Sequence, residues 1–474
     1  MIIPIIAFFF MSFLIGVYSA SLIGGKIRNY YVAGNIIPIW VIVLSLAGQA
    51  IEIGSTYENG MTVMRDSFWV GTLMPIGIGV SLILIGFFFA EPLHKMKLLT
   101  LPDFYFRKYD KKVESIVSII CVFSFMILIA SNLVGIAMIL NYLIPELTTS
   151  LILIIVATLI MFYTMAGGLF AVTWNDILHV GVGVIGFIGA VVWLYCNTDM
   201  HELGEAIKTK LNTDKFTKWD QGGLSMWASF LALALGDIVA LDFMERVFAA
   251  KTPKYAKISC IISGGLTIVV GILLAIIGLI ASLHLSSIPE AEKYKFLWFI
   301  QNKIPAGISM LVFMGLIGAC ISTIDGAIMA CTAVITKNVI QQNFPQLVSK
   351  KNLLLFSRIT AVPITIGAIL ISFFNSDPIA LLIFAFDLVF ASCLVPLVLG
   401  LYWKKSNKTA AFWSIILSLT LRIILEGIIH YDPTWKESSW FGAQTLVPPI
   451  VSLISFWFIA IKTYQPKDEN VNLV

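Results

Sequence analysis

Apolar runs long enough to cross about 30 Å of hydrocarbon as a helix recur thirteen times along the 474 residues, the first at 4–23 and the last at 445–463. A backbone in lipid must satisfy its own N–H and C=O groups, so runs of this length fold as spanning helices. Mean hydropathy is +0.93, with 59% apolar and 12% charged residues, which excludes a soluble globular domain. The chain reads as an all-α polytopic membrane protein whose first partner is the lipid bilayer.

Charge placement gives an orientation. With span-end residues counted in the adjoining loop, 21 of the 31 Lys and Arg fall on one side and nine on the other, with Arg422 inside a span. The positive-inside rule then sets the N-terminus outside, the C-terminus inside and the protein in the plasma (inner) membrane. No Lys or Arg precedes the first run while Lys26 and Arg28 follow it, so that run is expected to be retained rather than cleaved. The net charge of +4 reflects this topology, and no nucleic-acid partner is expected.

Other functions find little support. The six cysteines form no CxxC pair and read as small packing residues. Phosphate-loop, HExxH and GxSxG patterns are absent, so no enzyme is expected. The five histidines read as interfacial packing at span ends, and the 197–223 loop as a solvated cap. The aromatic and basic stretch Leu98 to Lys112 reads as a helix on the membrane surface.

Polar residues within the spans carry the information. A charged side chain at mid-bilayer costs at least ~2.5–3.5 kcal/mol, yet Glu52, Asp176, Asp237, Asp242, Asp325 and Asp387 stand in predicted spans without an evident basic partner there. Arg422 and Glu426, spaced i, i+4, neutralise each other locally. Two stretches, AGQAIEIGS (Ala47 to Ser55) and LGDIVALDF (Leu235 to Phe243), interrupt the opening helices of two successive groups of five spans. Transporters built from inverted repeats place cargo sites at such paired interruptions. Glycines at 48 and 54 are expected to permit an unwound segment whose freed carbonyls hold a cation. A kinked packing helix with Glu52 protonated is the alternative. In GLIGACISTIDGAIMA (Gly315 to Ala330), Ser322 and Thr323 offer two neutral hydroxyl oxygens one turn beyond Ala319, unless both simply bond back to their own helix.

At these residues the chain resembles the sodium/solute symporter family, through YYVAGNIIPIWVIVLSLA (Tyr30 to Ala47), TLPDFYFRKY (Thr100 to Tyr109), YTMAGGLFAVTWNDILH (Tyr163 to His179) and the ACISTIDG block. The resemblance implies a LeuT-like 5+5 inverted repeat. Residues 1–29 would form an accessory span, 30–200 and 201–405 the two repeats, and 406–474 two further spans and a short cytoplasmic tail. It also implies Na+ as coupling ion, held by Gly48, Ile51, Ala319, Ser322 and Thr323. Asp176 matches an acid near a sodium exit, and Asp325, beside Gly326 where a serine is common, completes a possible second ion site. The solute would lie among Gln49, Glu52, Ser55, Asn132, Asp237, Asp242 and Asp387.

Some motifs are similar to the choline-type branch, but the positions where that branch presents tryptophans are here Glu52 and about Ala240. A carboxylate in place of an aromatic cage favours a solute with N–H donors: an amino acid, another zwitterion or a polyamine. The expected function is sodium-coupled import of such a small solute by alternating access. The alternatives are a proton-coupled or uncoupled transporter of a neutral or anionic solute, or a transporter-fold sensor. The short stretch Lys462 to Val474 speaks against a sensor's output domain. Oligomeric state is left open.

Overall fold

The computed structural model describes residues 2–348 and 352–464, most of which are helical. In chain order the main helices are α1 (Ile2–Ile23), α2 (Ile39–Ala50), α3 (Gly54–Arg65), α4 (Phe68–Lys95), α5 (Lys111–Leu143), α6 (Thr149–Asn197), α7 (Gly223–Val239) and α8 (Leu241–Ala249). They continue as α9 (Pro253–Ser282), α10 (Ala306–Gln341), α11 (Leu353–Phe374), α12 (Pro378–Ser392), α13 (Leu394–Tyr402), α14 (Lys408–Tyr431) and α15 (Ala443–Thr463). Side-chain caps start several of them. Asp110, Thr148, Thr252 and Asn407 each accept an N–H from the first turn of the helix that follows, satisfying donors that the helix itself leaves free.

Three pairs are bent at short breaks: α2/α3 by 69°, α7/α8 by 43° and α12/α13 by 40°. Nine helices among the described residues are long and apolar enough to cross a bilayer, or twelve if each bent pair is one span. The thirteen read from the sequence require α6 to count twice. Its 49 residues would run about 73 Å if straight, well beyond one hydrocarbon thickness. Gly168 interrupts it with φ 55° and ψ −147°. Any Cβ there would meet the Tyr30 ring at 2.6 Å and its carbonyl oxygen at 2.8 Å, so this position needs glycine both for its backbone conformation and for close approach.

Burial separates core from periphery. The most apolar stretches of α5 and α10 are each 72% buried within the protein, whereas those of α1 and α14 are 28% buried. The central helix α10 packs on α5 and α6, and α14 and α15 pack on each other and on α12. The tail beyond residue 464 lies outside the described residues.

One loop reading is corrected. The Leu98 to Lys112 stretch turns most of its aromatics inward: Phe104 and Tyr105 are buried while Phe106 is 47% exposed. Tyr105 and Tyr109 donate to the carbonyls of Cys393 (2.9 Å) and Pro396 (2.6 Å) at the α12/α13 break. Asp103 accepts N–H bonds from Leu99, Thr100 and Asn338 and pairs with Lys337. Burial pushes the Asp103 carboxyl upward, but the Lys337 charge and these donors outweigh it and hold it below the usual range. The interior partners outcompete the interface for these side chains. The 197–223 loop is mostly exposed, as expected of a solvated cap, and is anchored where Lys210 donates to the carbonyls of Met64 (3.1 Å) and Asp66 (2.9 Å) and Lys215 pairs with the Asp66 carboxylate.

Candidate functional site

The α2/α3 break falls at Ile51, Glu52 and Ile53. The Ile51 N–H still bonds back to Ala47 O at 2.8 Å, but its ψ of 89° leaves the helix, and a π-helical turn begins at Gly54. The glycines expected to unwind the segment do something else. Gly48 lies inside α2, and neither Gly48 nor Gly54 has positive φ. Both are small because neighbours are close: a Cβ on Gly48 would lie 3.2 Å from Asp176, and one on Gly54 would lie 2.6 Å from Leu382 and 2.8 Å from the Met74 sulfur. Gly54→Leu is therefore expected to abolish uptake by prising α3 from α12. Gly265→Leu, whose added carbon would meet open space, should leave uptake intact. Equal uptake by both variants would remove the steric argument.

Asn132 of α5 holds the break open. Its Oδ1 accepts the Ile53 N–H at 3.2 Å, and its Nδ2 donates to Glu52 Oε2 at 3.3 Å and Leu128 O at 3.1 Å. Ser55 donates to Ala50 O across the break at 3.2 Å. Glu52 Oε1 is buried with no hydrogen-bond partner. The second break, at Ala240 (φ −60°, ψ 122°), carries Asp237, both of whose carboxylate oxygens are buried and unpartnered. Glu52, Asp237 and Asp242 lie within electrostatic reach of one another. Asp242 accepts the Phe243 N–H at 2.8 Å.

The hydroxyl pair of α10 meets the end of α2. Ser322 Oγ donates to Gly48 O at 2.6 Å and to Ala319 O at 3.0 Å. Thr323 Oγ1 donates to Gln49 O at 3.3 Å and to Ala319 O at 3.2 Å. Gly48, Ile51, Ala319 and Ser322 line one small cavity, with room for a single water-sized species. Gln49 bridges the two helices, donating to Ser322 O at 2.7 Å and Asp176 Oδ1 at 3.2 Å, so it positions the pair rather than facing outward.

The acids are not without a base. Arg246, counted from the sequence with its loop, is 0% exposed and lies 3.7 Å from both Asp176 and Glu245. It also donates to Ser45 Oγ at 3.2 Å and Asp242 O at 3.1 Å, and Ser45 donates to Asp176 at 2.5 Å. Its place four residues after Asp242, amid Phe243, Met244, Val247 and Phe248, was the available signal. A carbon on Gly326 would sit 1.9 Å from Gln49 Oε1 and 2.9 Å from Arg246 Nη2, so these two side chains fill the space beside Asp325 where a second ion was considered. Asp325 itself accepts from Tyr163 OH at 2.7 Å. Because losing one member of a buried ion pair strands the other charge, Arg246→Met is expected to cost about 3–5 kcal/mol. This would be read as a lower unfolding temperature in detergent, partly restored by adding Asp176→Asn. Unfolding at the wild-type temperature would sink this role.

Asp387 stands apart from the breaks. Its Oδ2 pairs with Arg422 at 3.0 Å and accepts from Thr445 at 2.7 Å, and Arg422 also reaches Glu426 at 2.8 Å. The partner was missed because it comes from a helix 35 residues later. His179, expected at an interface, is 2% exposed, lines the small cavity and bonds Ser12 Oγ through Nε2 at 2.9 Å.

Comparison with known proteins identifies the family. The family model "Sodium:solute symporter family" matches residues 30–418. The chain belongs to this family. Sodium is its coupling ion, a small solute its cargo, and it is an integral membrane transporter rather than an enzyme. It is 23% identical to "High affinity choline transporter 1" of Homo sapiens over 441 residues, covering 89% of this chain and 76% of that protein. It is 24% identical to "Sodium/proline symporter 2" of Staphylococcus saprophyticus, covering 98% and 93%. Among solved structures, a substrate-bound, outward-open Na+-coupled sialic acid symporter superposes with a TM-score of 0.83 at 14% identity, over 98% of each chain. That likeness places this sodium symporter in the LeuT fold.

Proposed function

We propose that this symporter imports a small cationic amine, with sodium held by the carbonyls of Gly48, Ile51 and Ala319 and the hydroxyls of Ser322 and Thr323. The donor set fits: a hard monovalent cation takes neutral oxygens, and rotating each hydroxyl about its Cβ–O bond turns its lone pairs toward the ion. Sodium then ties α2 to α10. The two halves, 30–200 and 201–405, rock about the paired breaks, with the N-terminus outside in the plasma membrane.

The observation that carries the substrate class is the pair of buried carboxylates at the two breaks with oxygens left without a partner, one oxygen of Glu52 and both of Asp237. Among the described residues Arg246 is the cation paired with acids near them, and Asp176 and Glu245 already engage it. The Ile53 N–H, which an unwound helix offers to a solute carboxylate, is taken by Asn132. This excess of acid over base, with the Arg246 charge shared between Asp176 and Glu245, favours an amine over an amino acid. The human relative is named for choline, but the two positions linked above to tryptophans in that branch are Glu52 and Ala240, so the quaternary ammonium has no aromatic cage there. Donated N–H bonds take its place.

The test is uptake into proteoliposomes under an imposed sodium gradient, comparing putrescine, spermidine, agmatine, choline, proline and glucose. Sodium-driven accumulation of the primary amines alone is expected. Accumulation of proline or glucose without the amines would overturn the substrate class while leaving sodium coupling in place.

A further inference from the structure

A second polar cavity, of about 420 Å³, opens away from the breaks where the entry to α2 meets the exit of α8. Arg28, Asn35, His94, Lys97 and Lys251 line it, and no acidic residue does. The Arg28, Lys97 and Lys251 charges make no ion pair among the described residues. By contrast Lys95 and Lys257 pair with Glu91, and Lys337 with Asp103. Three exposed cations around one hollow repel each other, and an anion bound among them relieves that repulsion.

The backbone around the hollow is held in an unusual form. Ala33, Asn35 and Lys97, with φ of 43°, 59° and 51°, are the only non-glycine residues in the left-handed region among the described residues. All three border this cavity or adjoin its lining. Strain of this kind persists where the surroundings impose it, and it gathers at functional sites. What imposes it is a set of cross-links: Arg28 Nε donates to Asn35 Oδ1 at 2.9 Å, Asn35 Nδ2 donates to Phe248 O, and His94 Nε2 donates to Ala250 O at 2.7 Å. Ile37 and Ala250 also form a parallel bridge. The cross-links use Arg28 Nε and His94 Nε2 and leave the two ammonium groups and the outer guanidinium nitrogens facing the hollow.

Depth is set by aromatics. Trp40, in the first turn of α2, is 52% exposed and stacks edge-on with the 43%-exposed Trp174 at 6.4 Å. Ile36 beside the cavity is 67% exposed. Exposed tryptophans mark the boundary between hydrocarbon and headgroups, so the hollow opens at headgroup level.

We infer that this cavity binds a phosphate group through Arg28, Lys97 and Lys251, fastening the start of α2 to the end of α8. Its position at the boundary brings a lipid phosphodiester within reach, and free phosphate carries the same chemistry. The full chain, purified in detergent, would be incubated with phosphatidylglycerol or phosphatidylcholine and bound lipid counted by native mass spectrometry, with inorganic phosphate as competitor. Retention of phosphatidylglycerol over phosphatidylcholine is expected. The triple variant Arg28→Gln, Lys97→Gln, Lys251→Gln should lose affinity by about fivefold per removed charge. A control variant, Lys208→Gln, Lys218→Gln, Lys436→Gln, removes as many exposed charges away from the cavity and should bind as wild type does. Displacement by inorganic phosphate identifies a site for free anions, and resistance to it a site for the headgroup. Equal lipid retention by the wild type and the cavity variant, equal loss in the control variant, or no anion bound in either form overturns the inference.

Discussion

Asp237→Asn and Glu52→Gln are each expected to raise the KM for an amine solute by about 10- to 100-fold, the loss of one charge-assisted hydrogen bond in a dry site. Both substitutions keep shape. Glu52→Gln retains an oxygen for the Asn132 amide, and Asp237→Asn alters a side chain that makes no hydrogen bond in the protein. The sodium half-saturation constant should therefore hardly move. This split is the informative part, since a variant that merely folded poorly would lose maximal uptake instead. Amine KM values matching the wild type in both variants would remove the carboxylates from the solute site.

Ser322→Ala combined with Thr323→Ala should raise the sodium half-saturation constant by about tenfold or more. Each hydroxyl contributes roughly 0.5–1.5 kcal/mol as a neutral donor and more as a ligand to a bare cation. The same change removes the bonds to Gly48 O and Gln49 O that join α10 to α2. A companion variant keeps the result interpretable. Thr332 lies on the same helix and bonds only its own turn, at Met329 O, so Thr332→Ala should leave sodium dependence as it was. Sodium activation curves that superpose for the double variant and the wild type would mean that the ion sits elsewhere.

Much of this site was legible along the chain because its elements are local. A glutamate within an apolar run, an aspartate in the corresponding place of the next group of spans, and adjacent hydroxyls on a small-residue helix each stand out against hydrocarbon. The breaks lie where the polar residues are. The reason given for the first break was wrong in detail, since Ile51 to Ile53 leave the helix and the glycines serve packing. The cause is Asn132, which captures the Ile53 N–H from a helix 79 residues away. Nothing near residue 53 announces that partner.

The same limit explains Arg246, Asp387 and His179. A charge near the end of an apolar run reads as loop when only its chain neighbours are known, and whether it turns inward depends on what waits there. Arg246 turns in because Asp176 and Glu245 do. Asp387 leaves the central set because Arg422 draws it outward. The sequence by itself determined the helices, the two interruptions and the chemistry available at each, because hydrophobic run length and polar exceptions to it are properties of contiguous residues. Which acid meets which base, and which hydroxyl meets which carbonyl, was decided only when helices distant along the chain were brought together, because in a low-dielectric interior a charge or a polar group is defined by the partner within a few ångströms of it.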